Sequence, residues 1–190
     1  MLIDWNPRYL YRRLLDDDTQ IEHFLSEVCS RSWNEELDRG RPFADAVAAL
    51  SAAFPQHAQH INAYHTCWGE MLGGPIADTV TILEALRTRG YPLHALTNWS
   101  AETFPIAQAR YPFLDYFGEI VVSGREGLIK PQPEIFELLL QRITTTADRC
   151  LFIDDSFPNI QAAATLGFDT VHFQSPAQLR EALRARDLLE

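Results

Sequence analysis

"LFIDDSFPNIQAA", residues 151–163, passes from a short apolar stretch into two adjacent carboxylates, Asp154 and Asp155, and then into a helical pattern that carries Asn159. An apolar run too short for a helix, followed at once by polar residues and a helix start, reads as a buried strand feeding the next helix. In open sheets built this way ligands bind beyond the carboxyl ends of the strands, which puts Asp154 and Asp155 at a candidate site. Neighbouring carboxylates repel each other unless a cation or hydrogen-bond donors compensate, and hard oxygen ligands at a strand end suit Mg²⁺. Capping of the following helix by Asp155 or Ser156 explains the same letters.

The alternation extends to both sides of this stretch. An amphipathic helix at about Ile76–Arg89, stopped by Gly90, precedes the apolar run "PLHALT" at Pro92–Thr97. "EIVVS" (Glu119–Ser123), "CLFID" (Cys150–Asp154) and "DTVHF" (Asp169–Phe173) read as further strands, separated by helical segments near Ala101–Ala109, Glu134–Arg142, Asn159–Leu166 and Pro176–Arg186. Strand and helix in alternation predict a doubly wound, mostly parallel α/β sheet with helices on both faces. From about Asp17 to Leu72 the spacing is helical throughout. Thr19 with Glu22, and Ser32 with Glu35, have the capping-box spacing, and Phe43, Val47, Leu50 and Phe54 mark one helical face. Ile61, Tyr64, His65 and Trp68 mark another, closed by Gly73-Gly74-Pro75; Tyr64 and Trp68 read as packing residues.

Two further strand ends carry chemistry. "LTNWS" places Thr97 and Asn98 where a hydroxyl, an amide and free backbone N–H groups could hold a phosphate oxygen, although a plain N-cap fits equally well. "GLIKPQPEIF" sets Lys130 before Pro131 and Pro133, which fix an extended approach and a helix start and so hold the ammonium in place. Alone, Lys130 reads as an ordinary surface lysine.

The net charge of −10, without a basic stretch, argues against nucleic acid and anionic membrane as partners. No apolar run reaches the ~18 residues of a membrane span, and no secretory segment opens the chain, so a cytoplasmic protein is expected. Cys29, Cys67 and Cys150 are odd in number and widely spaced, as expected of reduced, mostly buried thiols.

A hydroxyl and amide, a fixed lysine and an acidic pair, in that order on successive β-α units, resemble the haloacid dehalogenase (HAD) superfamily of hydrolases. The likeness is to the branch with a helical cap after the first strand, which also holds the phosphatase domain of soluble epoxide hydrolase. "ALTNWS" resembles its second motif (Thr97), "GLIKPQPEIF" its third (Lys130) and "FIDDSFPNIQAA" its fourth (Asp154, Asp155, Asn159). The resemblance implies a Rossmann-like core at residues 1–14 and 76–190 with a helical cap at 15–75. It implies a Mg²⁺-dependent phosphatase that cleaves a small phosphorylated metabolite through an aspartyl-phosphate, as a monomer or homodimer. Thr97, Asn98 and Lys130 would be catalytic, and Asp154, Asp155 and Asn159 would serve the metal. A 2-haloacid dehalogenase is the alternative enzyme, although such relatives tend to replace the first acidic residue of the fourth motif, here the intact Asp154. A phosphate-binding pseudoenzyme is the alternative from another class.

The resemblance also marks a gap. Relatives carry the nucleophilic aspartate at the end of their first strand, and "LIDWNP" matches the segment just after it, which puts the nucleophile about three positions upstream of Met1. Asp4 is then not the nucleophile and belongs to the turn region after that strand. The strand is central in the family, between Pro92–Thr97 and Cys150–Asp154, so a slot of roughly 9.5 Å lined by unpaired backbone groups is expected there. A start codon placed too far downstream is favoured over a true truncation, because the other motifs and the core pattern look undamaged. Within the cap, Arg31, Trp33, Asp38 and Arg39 could contact substrate, but capping and surface ion pairing account for them equally well. His57 and His60 share a helix face without an evident third metal ligand. Trp5 and Arg8 follow the first motif closely enough to approach the site.

Overall fold

Residues 1–190 are described by a computed structural model. The expected alternation is present: α6 (Ala77–Thr88), β3 (His94–Thr97), α7 (Phe104–Arg110), β4 (Glu119–Val122), α8 (Ser123–Glu126), α9 (Pro133–Ile143), β5 (Leu151–Asp154), α10 (Phe157–Thr165), β6 (Asp169–His172) and α11 (Pro176–Arg184). β3 pairs in parallel with β4, Thr97 opposite Val122, and β5 in parallel with β6, Asp154 opposite His172. The two pairs share no ladder, so β3 and β5 each keep one edge without a strand partner.

Successive strand residues point to opposite faces, and the core divides accordingly. Val121 and Phe152 turn toward Ile135, Phe136, Ile160 and Ala163 of α9 and α10. Val122 packs instead with Leu83, Phe104 and Ala107 of α6 and α7, while Val171 meets Ile82, Leu179 and Leu183 of α6 and α11. Helices therefore cover both faces, and the strand ends carry the polar residues.

The N-terminal half holds α1 (Arg8–Tyr11), α2 (Asp18–His23), a π-turn (Phe24–Val28), α3 (Arg31–Asp38), α4 (Phe43–Ala53) and α5 (Ala58–Thr66). It has its own apolar cluster, in which Leu10, Tyr11, Phe24, Leu37, Phe43, Ile61, Tyr64 and Trp68 are buried. Two helix starts lie earlier than their expected capping boxes. Asp17, not Thr19, caps α2 by accepting the Gln20 N–H at 2.8 Å, and Ser30, not Ser32, caps α3 by accepting that of Trp33 at 3.3 Å. In each case several capping side chains compete, and the one with extended backbone just ahead of the helix wins.

The two halves meet at a short antiparallel ladder that the sequence pattern did not show, β1 (Ile3–Trp5) with β2 (Leu72–Pro75). "LGGP" has no alternation to announce a strand. Asp4 lies in β1 rather than in a turn, and its carboxylate accepts the Tyr9 hydroxyl. Gly73 permits this contact, because a Cβ there would lie 2.7 Å from the Tyr9 ring. Arg8 pairs with Glu22 on the helical half.

Candidate active site

Lys130 is the centre of the site. Its ammonium donates to the Leu96 carbonyl of β3 at 2.7 Å and to Asp154 Oδ2 at the tip of β5 at 2.7 Å, bonding both edges that no strand joins. The pair is deep: the Lys130 side chain is 10% exposed and that of Asp154 5%. A charge pair so removed from water is tolerable only when the remaining lone pairs are also satisfied. Asp154 meets this condition, since its Oδ1 accepts the Ser156 N–H at 2.8 Å and the Asn159 amide at 3.0 Å.

Asn98 holds the lysine loop. Its amide oxygen accepts the Lys130 N–H at 2.9 Å and its amide nitrogen donates to the Lys130 carbonyl at 3.0 Å. The Asn98 side chain is thus engaged in positioning Lys130, and Thr97 stands beside it at the end of β3. Asp155 stands apart. Its side chain is 60% exposed, and its Oδ2 lies 3.4 Å from the Met1 amine. The structure therefore gathers Asn98, Lys130, Asp154 and Asn159 into one bonded set, with Thr97 and Asp155 at its edges.

A cavity of about 350 Å³ opens beside this set, with Thr97, Asp154 and Asp155 outside its wall. The core contributes Asn98, Lys130 and Asn159 to its wall, and α3 with its following turn contributes Arg31, Glu35 and Arg39. Arg31, Glu35 and Arg39 are four residues apart, so one helical stripe faces the site. Trp33 points the other way and packs edge-on against Tyr64, with ring centroids 5.0 Å apart.

The helical half is fixed over the core by polar contacts that sequence reasoning missed. Ser123, fully buried at the end of β4, accepts the Trp99 N–H at 2.8 Å and donates to the Asp38 carbonyl at the end of α3. Gly40 lets the two halves touch, since a Cβ there would lie 2.9 Å from Gly124 O, and Gly124 in turn packs on the core's own loop, where a Cβ would meet Ala101 N at 2.5 Å and Trp99 O at 2.8 Å. The Asp38 carboxyl is pushed up to about 7, chiefly by burial and secondarily by Glu35, against the hydrogen bonds it accepts from Ser100 N–H and Asn34. The sole sequence signal for this joint was "DRG", residues 38–40, in which a glycine follows polar residues at a helix end.

A model of the haloacid dehalogenase-like hydrolases matches residues 8–167. The chain belongs to this family. It is 27% identical to the sesquiterpene phosphatase astK of Aspergillus oryzae over 90% of this chain and 84% of that protein. It is 33% identical to the D-ribitol-5-phosphate phosphatase of Bacteroides thetaiotaomicron over 38% of this chain and 35% of that one. In fold it is similar to the HAD family enzyme bt-2542 of Bacteroides thetaiotaomicron, solved as a magnesium complex, with a TM-score of 0.70 at 20% identity over 91% of this chain and 88% of that one.

As a HAD-like hydrolase, the chain has a Rossmann-like core under a helical cap. Other features noted in the sequence lie elsewhere. His57 and His60 both set their rings against Phe24, at 5.6 and 6.0 Å, and no group of metal-binding side chains gathers round them. The three cysteines are free, Cys29 buried and Cys67 and Cys150 half-buried. No helix is long and apolar enough to cross a membrane.

Proposed function

We propose that this protein is a Mg²⁺-dependent phosphatase acting on a small phosphomonoester through an aspartyl-phosphate, with residues 15–75 as the cap that closes over residues 1–14 and 76–190. The observation that carries the reading is Lys130: a buried ammonium held between two strand ends, beneath a polar cavity, is placed to neutralise phosphoryl charge. Asn98 keeps the lysine backbone in place, and the Thr97 hydroxyl donates to a phosphoryl oxygen. Asp154 orients Lys130 and, through Asn159, the first turn of α10.

The donors at the tip of β5 fit Mg²⁺, which binds through one or two carboxylates and keeps several waters and phosphate oxygens. Asp155 would hold the ion, with Asn159 and Asp154 beside it. When bound, the ion screens the repulsion between a phosphate dianion and an attacking carboxylate. Neither Asp4, bound to Tyr9 in β1, nor Asp154, bound to Lys130, is free for that attack. The attacking carboxylate belongs at the end of a strand between β3 and β5, which share no ladder with each other.

The test is Mg²⁺-dependent phosphate release from p-nitrophenyl phosphate by this chain and by one extended upstream in its reading frame. Turnover by the extended protein alone, abolished by Asp155→Ala, is expected. Turnover by the 190-residue chain would overturn the placement of the nucleophile, and inertness of both folded proteins would overturn the phosphatase reading.

A further inference from the structure

The cavity over Lys130 has a charge left over. Ile129, Pro131 and Pro158 are the apolar members of its wall, and the other eight residues are polar or charged. Four charged side chains line it. Arg31 is answered by Glu35 at 3.1 Å, and Lys130 by Asp154 at 2.7 Å. Arg39 has no carboxylate partner. Its guanidinium donates to the neutral Gln132 amide oxygen at 3.0 Å. Gln132 also accepts the Ile129 N–H at 3.2 Å, so the group that holds Arg39 is itself tied to the loop bearing Lys130.

In a protein of net charge −10, an exposed cation without a carboxylate partner, on the wall of this cavity and fastened at one nitrogen, suits an anion. A guanidinium bonded through one nitrogen keeps other N–H donors, enough to grip a carboxylate or phosphate by its fork. The phosphoryl group is already provided for by Lys130 and Thr97.

We infer that Arg39 is a specificity-determining residue that takes a second anionic group, so that the substrates are small phosphomonoesters bearing a carboxylate or a second phosphate. This rests on the phosphatase reading, which supplies the first phosphate its place. Glu35 contributes on the same stripe by occupying Arg31, which leaves Arg39 as the single cation of the cap free to meet the substrate.

The test is a ³¹P NMR titration of the 190-residue chain in Mg²⁺ with two probes, ethyl phosphate and 2-phosphoglycolate, which share the phosphoester and differ by one carboxylate. The expected result is binding of both, with about tenfold preference for phosphoglycolate, the increment of one charge-assisted contact. Arg39→Gln should bring the two dissociation constants together while leaving that of ethyl phosphate in place. Arg39→Lys, which keeps the charge without the fork, should restore part of the preference. Equal affinity in the unaltered protein, or a preference untouched by Arg39→Gln, would overturn the role of Arg39 while the phosphate pocket stands. Binding of neither probe would overturn both readings.

Discussion

Replacing Lys130 by methionine keeps most of the side-chain volume and removes the ammonium. What remains is an Asp154 carboxylate, 5% exposed, whose Oδ2 has lost its donor, together with a Leu96 carbonyl that has lost its own. The two bonds to Oδ1, from Ser156 and Asn159, survive. Removing one partner of a buried ion pair costs about 3–5 kcal/mol, because the other charge stays out of water uncompensated. For a chain of this size each kcal/mol lowers Tm by about 2–4 °C, so a fall of about 6–20 °C is expected. Lys130→Met with Asp154→Asn removes both charges, and most of the loss should return, since a neutral pair of similar shape often matches a buried ion pair in stability. The assay is urea unfolding of the unaltered protein, both single variants and the double variant, in EDTA so that no cation substitutes for the lysine. A loss below ~1 kcal/mol in Lys130→Met, or a double variant as unstable as the sum of the singles, would refute the claim that this pair is deeply desolvated and coupled.

Asp38 should make stability depend on pH. Burial raises its carboxyl from 3.8 to about 7, so the folded protein retains a proton that the unfolded chain releases. This contribution is complete below pH ~4 and is lost as pH rises toward ~7; the full shift corresponds to about 4 kcal/mol, and partial solvent access reduces it to about 2 kcal/mol. Stability of the unaltered protein relative to Asp38→Asn should therefore fall by that amount between pH 4 and 7.5 in urea titrations, and a flat difference would contradict the burial. Gly124→Ala should cost about 1–3 kcal/mol, because the new methyl meets only backbone of residues 99–101. Thermal unfolding measures this, and an unchanged Tm would show that the joint is looser than described.

The α/β half was legible because its signals are local. "HALT", "EIVV", "LFID" and "DTVH" are apolar or β-branched runs bounded by turn residues, and the strand pattern put Thr97 and Asp154 at strand ends, while Lys130 stood out only through the family resemblance. What stayed hidden depends on distant partners. The two-way bond of Asn98 with the Lys130 backbone joins residues 32 apart in sequence, and nothing near either one announces it. Arg31 and Arg39 were only possible lid contacts, equally explained by capping and ion pairing, because the direction of their stripe follows from Ser123 gripping the Asp38 carbonyl, a contact made across 85 residues. The β1–β2 ladder was invisible because its second strand is half glycine.

In the role proposed for Lys130, the ammonium that closes the break between β3 and β5 would also be the one that meets a phosphate. Each anion that arrives competes with Asp154 and Leu96 for its three protons. Occupancy of the pocket is thereby written into the seam of the sheet: a bound phosphoryl group draws on the bonds that hold one half of the core to the other, and the amide hydrogens of β3 and β5 should exchange with solvent at rates that register whether the pocket is full.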